Sequence, residues 1–211
     1  MLKRVLIILM LCGAFAAPWR AVAHEIQLPH QVIESAAHSM ADKMRGRKNY
    51  LNENRKELYA LINEILVPHF DMRYAGYLVL GKYWKTVSRE QRDRFIDVFY
   101  EFLLQSYATG VLKFNGDAIT VHPAEVAGNG NRAVVKTEMH MDDGAMVPVN
   151  YSLRKSGDEW RVYDVRIEGV SYIQNYRNQF NAEISATGIN AVIKRLQGEL
   201  KNGKEAEPPE S

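Results

Sequence analysis

The chain has 211 residues, 46% of them hydrophobic, with 27 basic and 25 acidic side chains. So even a balance leaves no basic stripe of the kind a nucleic-acid partner requires and no polybasic patch for an anionic membrane. Cys12 is the only cysteine, which excludes a disulfide scaffold.

Lys3 and Arg4 precede an apolar run from Val5 to Ala17, and Ala21 and Ala23 frame a small-residue processing site. The pattern predicts a secretory signal peptide over residues 1–23, because the run falls short of the roughly 20 apolar residues of a permanent span. Cleavage there removes Cys12 and three cations, Lys3, Arg4 and Arg20, and leaves a thiol-free, nearly neutral chain starting at His24. The rest is expected to form one domain over 24–200, helical from 27 to 114, a sheet from 117 to 168 and helical again from 171 to 198. The polar, proline-containing stretch 201–211 is expected to be a disordered tail.

Val32, Ile33, Ala36, Ala37, Met40 and Met44 recur at helical spacing and predict a first helix, ended by the polar break Arg45 to Asn49. Leu58, Leu61, Ile62, Ile65 and Leu66 form the stripe of a second, which Pro68 stops or kinks. A third piece runs from Phe70 to Trp84. Ser88 with Gln91 then makes a capping box that opens the longest helix, Arg89 to about Lys113, with Phe95, Phe99, Phe102, Leu103, Tyr107 and Val111 on one side.

After Asn115 and Gly116 the period drops from 3.6 to 2 and predicts four antiparallel strands. Ile119 and Val121 mark the first, and Val135, Thr137, Met139 and Met141 the second. Asp142, Asp143 and Gly144 turn the chain into a third, with Val147, Val149, Tyr151 and Leu153 on one face. Ser156, Gly157 and Asp158 lead to a fourth that opens at Trp160. There Tyr163, Val165 and Ile167 face away from Asp164, Arg166 and Glu168, a one-sided meander unless a bulge intervenes. Two amphipathic helices close the chain, one carrying Ile173, Tyr176, Phe180 and Ile184, the other Ile189, Val192, Ile193 and Leu196. The fold class is α+β.

Convergent reactive groups are scarce. There is no HExxH, P-loop or GxSxG motif, and of the six histidines (24, 30, 38, 69, 122, 140) none stands four residues from another. A processed His24 could hold copper with His122 or His140, but spacing fixes no second ligand. Asp164 could act as a base beneath a helical lid; alternation instead points it to solvent or to a basic neighbour. The broad apolar faces on helices and sheet read, by periodicity alone, as an ordinary core.

Two stretches add to this reading: YAGYLVLGKYW, Tyr74 to Trp84, with the capped helix that follows, and EWRVYDVRIEGVSYIQNYRNQF, Glu159 to Phe180. Their Leu80–Gly81 pair, Tyr83–Trp84 pair, Trp160, Tyr163–Asp164 step and Glu168–Gly169–Val170–Ser171 turn resemble the MlaC family of periplasmic phospholipid carriers, also described as toluene-tolerance proteins. The resemblance covers roughly Val32 to Leu196. It implies a four-stranded antiparallel sheet like the nuclear-transport-factor-2 cone, merged with a helical lobe, with an apolar cavity between them.

It further implies a periplasmic, monomeric carrier without catalysis or cofactor, whose cargo is a phospholipid. The partners implied are an outer-membrane lipoprotein-porin complex and an inner-membrane ABC transporter with a ring-forming substrate-binding subunit; the role implied is upkeep of outer-membrane lipid asymmetry. Alternation and helix faces then nominate the lipid-contacting residues: Val135, Met139, Val147, Val149, Tyr151, Val165 and Ile167 on the sheet, with Tyr74, Leu78, Phe99, Leu103 and Val170 around it. Gly81 and Gly169 are expected to permit tight turns, Trp84 and Trp160 to anchor the core, and Asp164 to cap or pair nearby. Two other readings stay open: a carrier of a different hydrophobic lipid such as a hopanoid, and a cone-fold enzyme using Asp164 or Tyr151 on a small hydrophobic substrate.

Overall fold

A computed structural model describes residues 27–203. The expected signal peptide, His24 and most of the expected tail lie outside the described residues. None of the described helices is long and apolar enough to cross a membrane.

Helices α1 (Pro29–Met44), α2 (Lys48–Glu53) and α3 (Arg55–Ile65) lead through a 3-10 turn at Val67–His69 to α4 (Met72–Leu80). A second 3-10 turn, Gly81–Lys85, precedes the long α5 (Arg89–Leu112). The Ser88–Gln91 capping box forms at its start: Ser88 Oγ accepts from Gln91 N at 3.1 Å and Gln91 Oε1 from Ser88 N at 2.9 Å. The break expected at Arg45–Asn49 is shorter than its polarity suggests. Gly46 turns the chain at φ +69°, and α2 already starts at Lys48, whose ammonium holds the carbonyl of Phe114 and the carboxylate of Asp142, each at 2.8 Å. A tertiary anchor overrides weak local propensity here.

The sheet holds the four expected long strands, β1 (Phe114–Val121), β3 (Arg132–Met141), β4 (Met146–Ser156) and β5 (Glu159–Ile167). It also has two short ones that alternation over so few residues could not announce, β2 (Glu125–Val126) and β6 (Val170–Ser171). All pairings are antiparallel in the order β1-β3-β4-β5-β6, with β2 continuing the β3 edge. Helices α6 (Tyr172–Thr187) and α7 (Ile189–Lys201) return against α4 and α5.

Strand β5 departs from strict alternation. Ser152 pairs with Asp164 but Leu153 pairs with Val162, so Tyr163 is an extra residue in a bulge. Trp160 and Val162 consequently share the inner face with Val165 and Ile167, which an unbroken period of two would forbid. Trp160 is buried there, as expected of a core anchor; Trp84 is only half-buried, packed between Tyr77 and the guanidinium of Arg92.

The apolar interior is divided into three clusters. Val79, Leu80, Phe95, Phe99, Phe180 and Leu196 join α4 through α7; Met40, Met44, Leu58, Ile62 and Leu112 join α1, α2 and α3 to α5; Val32, Ala133, Val135, Leu153, Trp160 and Val162 join α1 to the sheet. Helix α4 is fastened to β5 by Asp71. Its backbone N–H donates to the Val162 carbonyl at 2.8 Å, while its carboxylate caps Tyr74 N at 2.9 Å and accepts from Arg154 Nε at 2.8 Å. Arg154 lies 4.2 Å from the centroid of the Tyr74 ring.

Replacing Asp71 by alanine removes a helix cap and strands a partly buried guanidinium. Urea unfolding is expected to show a loss of about 2–3 kcal/mol; a loss below about 0.5 kcal/mol would mean the fastening is dispensable.

Candidate functional site

Between the three clusters lies a cavity of about 520 Å³, within the roughly 300–1,000 Å³ common for small-molecule sites. The sheet supplies its floor through Met139, Val147, Val149, Tyr151, Val165 and Ile167. Helix α1 contributes Ile33, Ala36, Ala37 and Met40, and α5 contributes Phe99, Leu103, Tyr107 and Val111. Ile62 from α3 and Tyr172 and Tyr176 from α6 complete the walls. Apolar side chains dominate the lining because the inner faces of all these elements turn toward one space that none of them fills.

Eight of the nominated residues therefore line the cavity: Phe99, Leu103, Met139, Val147, Val149, Tyr151, Val165 and Ile167. Four do not. Val135 is fully buried in the cluster with Ala133, Leu153 and Trp160, beyond the end of the hollow. Tyr74 turns away toward Arg154 and Tyr163, and its hydroxyl accepts from Arg132 at 2.8 Å. Leu78 and Val170 line a different, polar pocket on the opposite side of β5. The walls from α1, α3 and α6 were missed, since a stripe facing a hollow has the same spacing as a stripe facing a solid core.

Polar groups in the cavity wall are few and accounted for. Tyr107 and Tyr176 pair hydroxyl to hydroxyl at 2.6 Å. Burial pushes both phenols above the usual tyrosine range, and likewise raises Tyr172 to about 12. His69, at the rim, has its pKa lowered by desolvation. Tyr151 has no hydrogen-bond partner among the described residues, and burial raises its pKa strongly, so it stays a neutral phenol at physiological pH.

Asp164 is not the solvent-facing residue that alternation suggests. It is 7% exposed, held beneath the start of α6, where its carboxylate accepts from Ser171 Oγ at 2.8 Å and from Ile173 N at 3.1 Å. Arg166 Nε stands 3.8 Å away. This is a helix cap, as the capping expectation had it. Its oxygens are committed to holding α6 on β5, which leaves the carboxylate badly placed for a base. Gly81 and Gly169 adopt φ +52° and +87°, the left-handed turns expected of them. Among the described residues no group of three metal-ligating side chains comes together.

Residues 34–198 match the family model described as MlaC protein. The chain belongs to the MlaC family. Among curated members it is 31% identical over 202 residues to a Toluene tolerance protein ttg2D of Pseudomonas putida, with 94% of this chain and 92% of that one covered. It is 24% identical over 172 residues to the Intermembrane phospholipid transport system binding protein MlaC of Haemophilus influenzae, with 80% of each covered. The MlaC-family fold recurs in a solved structure of a phospholipid-binding protein from Ralstonia solanacearum in complex with a phospholipid, at a TM-score of 0.74 and 22% identity. That superposition covers 82% of this chain and 97% of the other.

The two groups considered for catalysis should behave oppositely on removal. Tyr151→Phe is expected to leave stability within about 1 kcal/mol or to raise it, because it deletes a buried hydroxyl without a partner. Asp164→Ala is expected to cost about 2–3 kcal/mol, because it uncaps a buried helix start. Denaturant titration of both variants distinguishes this pattern from its reverse.

Proposed function

We propose that this chain is a periplasmic carrier that shields the acyl chains of a phospholipid in the cavity between sheet and helices. It catalyses no reaction. The observation that carries the reading is the hollow itself: an interior divided into three clusters around a space lined by apolar side chains, in a family whose members include proteins named for phospholipid transport and phospholipid binding.

The energetics explain why a carrier is needed. Two acyl chains hold about 30 methylenes, and at roughly 0.8 kcal/mol each their exposure to water costs on the order of 20 kcal/mol. A wall of Val149, Val165, Ile167, Leu103 and Phe99 offers an environment in which that cost is removed, and charged groups there would restore it. The donor and acceptor are, on this reading, an outer-membrane lipoprotein-porin complex and an inner-membrane ABC transporter with a ring-forming subunit. The exchange would maintain outer-membrane lipid asymmetry.

Lipid extracted from the natively purified protein and analysed by mass spectrometry should be a diacyl phospholipid in stoichiometric amount. Filling the space with Ala37→Trp, or charging it with Val149→Glu, should cut that content at least several-fold. Ala37→Trp should leave the thermal midpoint nearly unchanged, since the cavity can receive the ring. Native protein free of lipid, or full lipid content in folded Ala37→Trp, would overturn the reading; a polycyclic lipid in the extract would redirect it to a hopanoid-type cargo.

A further inference from the structure

A second pocket, of about 510 Å³, lies on the other side of β5 and shares Tyr163, Asp164 and Ile173 with the apolar cavity. The two spaces adjoin at the bulge, so one molecule can occupy both. Their chemistry differs. The second is walled by Ser152 and Arg166 from the sheet and by Asn175, Arg177 and Asn178 from α6, with Leu78 and Val170 as its apolar edge.

Charge in this pocket is unbalanced. Asp164 is its one acid, and its oxygens are already engaged by Ser171 Oγ at 2.8 Å and Ile173 N at 3.1 Å. Arg166 reaches it only at 3.8 Å. Arg177 has no ion pair or hydrogen bond among the described residues. It is held by shape instead: its guanidinium packs over Gly81, with Nε 3.0 Å and Nη2 3.2 Å from where a β-carbon would stand. Any side chain at position 81 would displace it. A planar cation fixed in a polar recess without a counter-ion is suited to an oxyanion that accepts two parallel hydrogen bonds.

We infer that this pocket takes a phosphate group, bound by Arg177 and Arg166, and that its source is the headgroup of the lipid whose chains fill the adjoining cavity. The inference rests on the carrier reading and sharpens it. Acyl chains supply most of the affinity, and the arginines supply orientation and the preference for a phosphorylated lipid over its neutral counterpart. Both arginines are exposed at the pocket mouth, so their loss should leave the fold intact.

The test compares lipid-stripped wild type with Arg166→Gln/Arg177→Gln, each titrated with a dioleoyl phosphatidylglycerol and with dioleoylglycerol, which has the same chains and no phosphate. Wild type should prefer the phospholipid by about tenfold, and the double variant by less than about twofold, with dioleoylglycerol binding unchanged. Arg177→Lys in the Arg166 background should keep an intermediate preference, since the charge remains but the fork is lost. An equal preference in wild type and double variant overturns the phosphate site and leaves the carrier intact. Failure of wild type to bind either lipid overturns the carrier reading itself. Inorganic phosphate that binds wild type as tightly with the cavity lipid-filled as with it empty would mark an independent anion site and overturn the headgroup assignment.

Discussion

A helix laid flat on a sheet closes the space between them, and here two helices are prevented from doing so by the way they are tied to β5. Asp71 fixes the start of α4 to the Val162 carbonyl and to Arg154, and Asp164 fixes the start of α6 through Ser171 and the Ile173 N–H. These ties flank the extra residue Tyr163, where β5 bends. Directional polar contacts at the helix ends, rather than apolar contact along their length, set the separation. The apolar residues then gather in three clusters at the edges of a gap instead of one mass at its centre.

Much of this organisation can be read from the residues. The 3.6-residue spacing of Leu58, Leu61, Ile62 and Ile65, the Ser88–Gln91 box and the period-two runs of Met139–Met141 and Val147–Leu153 all become the elements they imply. Each is a local signal with a local cause. The bulge at Tyr163 is not, since it depends on which residues of β4 pair across from it. That single irregularity explains how Val162 comes to share a face with Val165, and why Asp164 lies under a helix instead of in water.

The cavity was legible only through family resemblance. Phe99 and Val149 border the hollow while Phe95 and Val135 are packed solid, yet neighbours on one stripe carry the same chemistry. Whether an apolar side chain meets another side chain or a void depends on elements far away in the chain. Tyr74 shows the opposite difficulty, because its place in the α4 stripe suggests the interior while Arg132 and Arg154 draw its ring outward. Leu78 and Val170 were assigned to the right neighbourhood and the wrong side of the strand.

The divided interior also bears on the life of the protein between encounters. A core with a hole in it forgoes dispersion contacts that a filled one enjoys, by about 24 cal/mol for each Å³ left vacant in a well-studied cavity series. Whatever enters completes the packing, and by mass action it shifts the balance away from unfolding. Thermal tolerance and resistance to proteases thus become gauges of occupancy, and vacant molecules are the ones a quality-control protease would meet first.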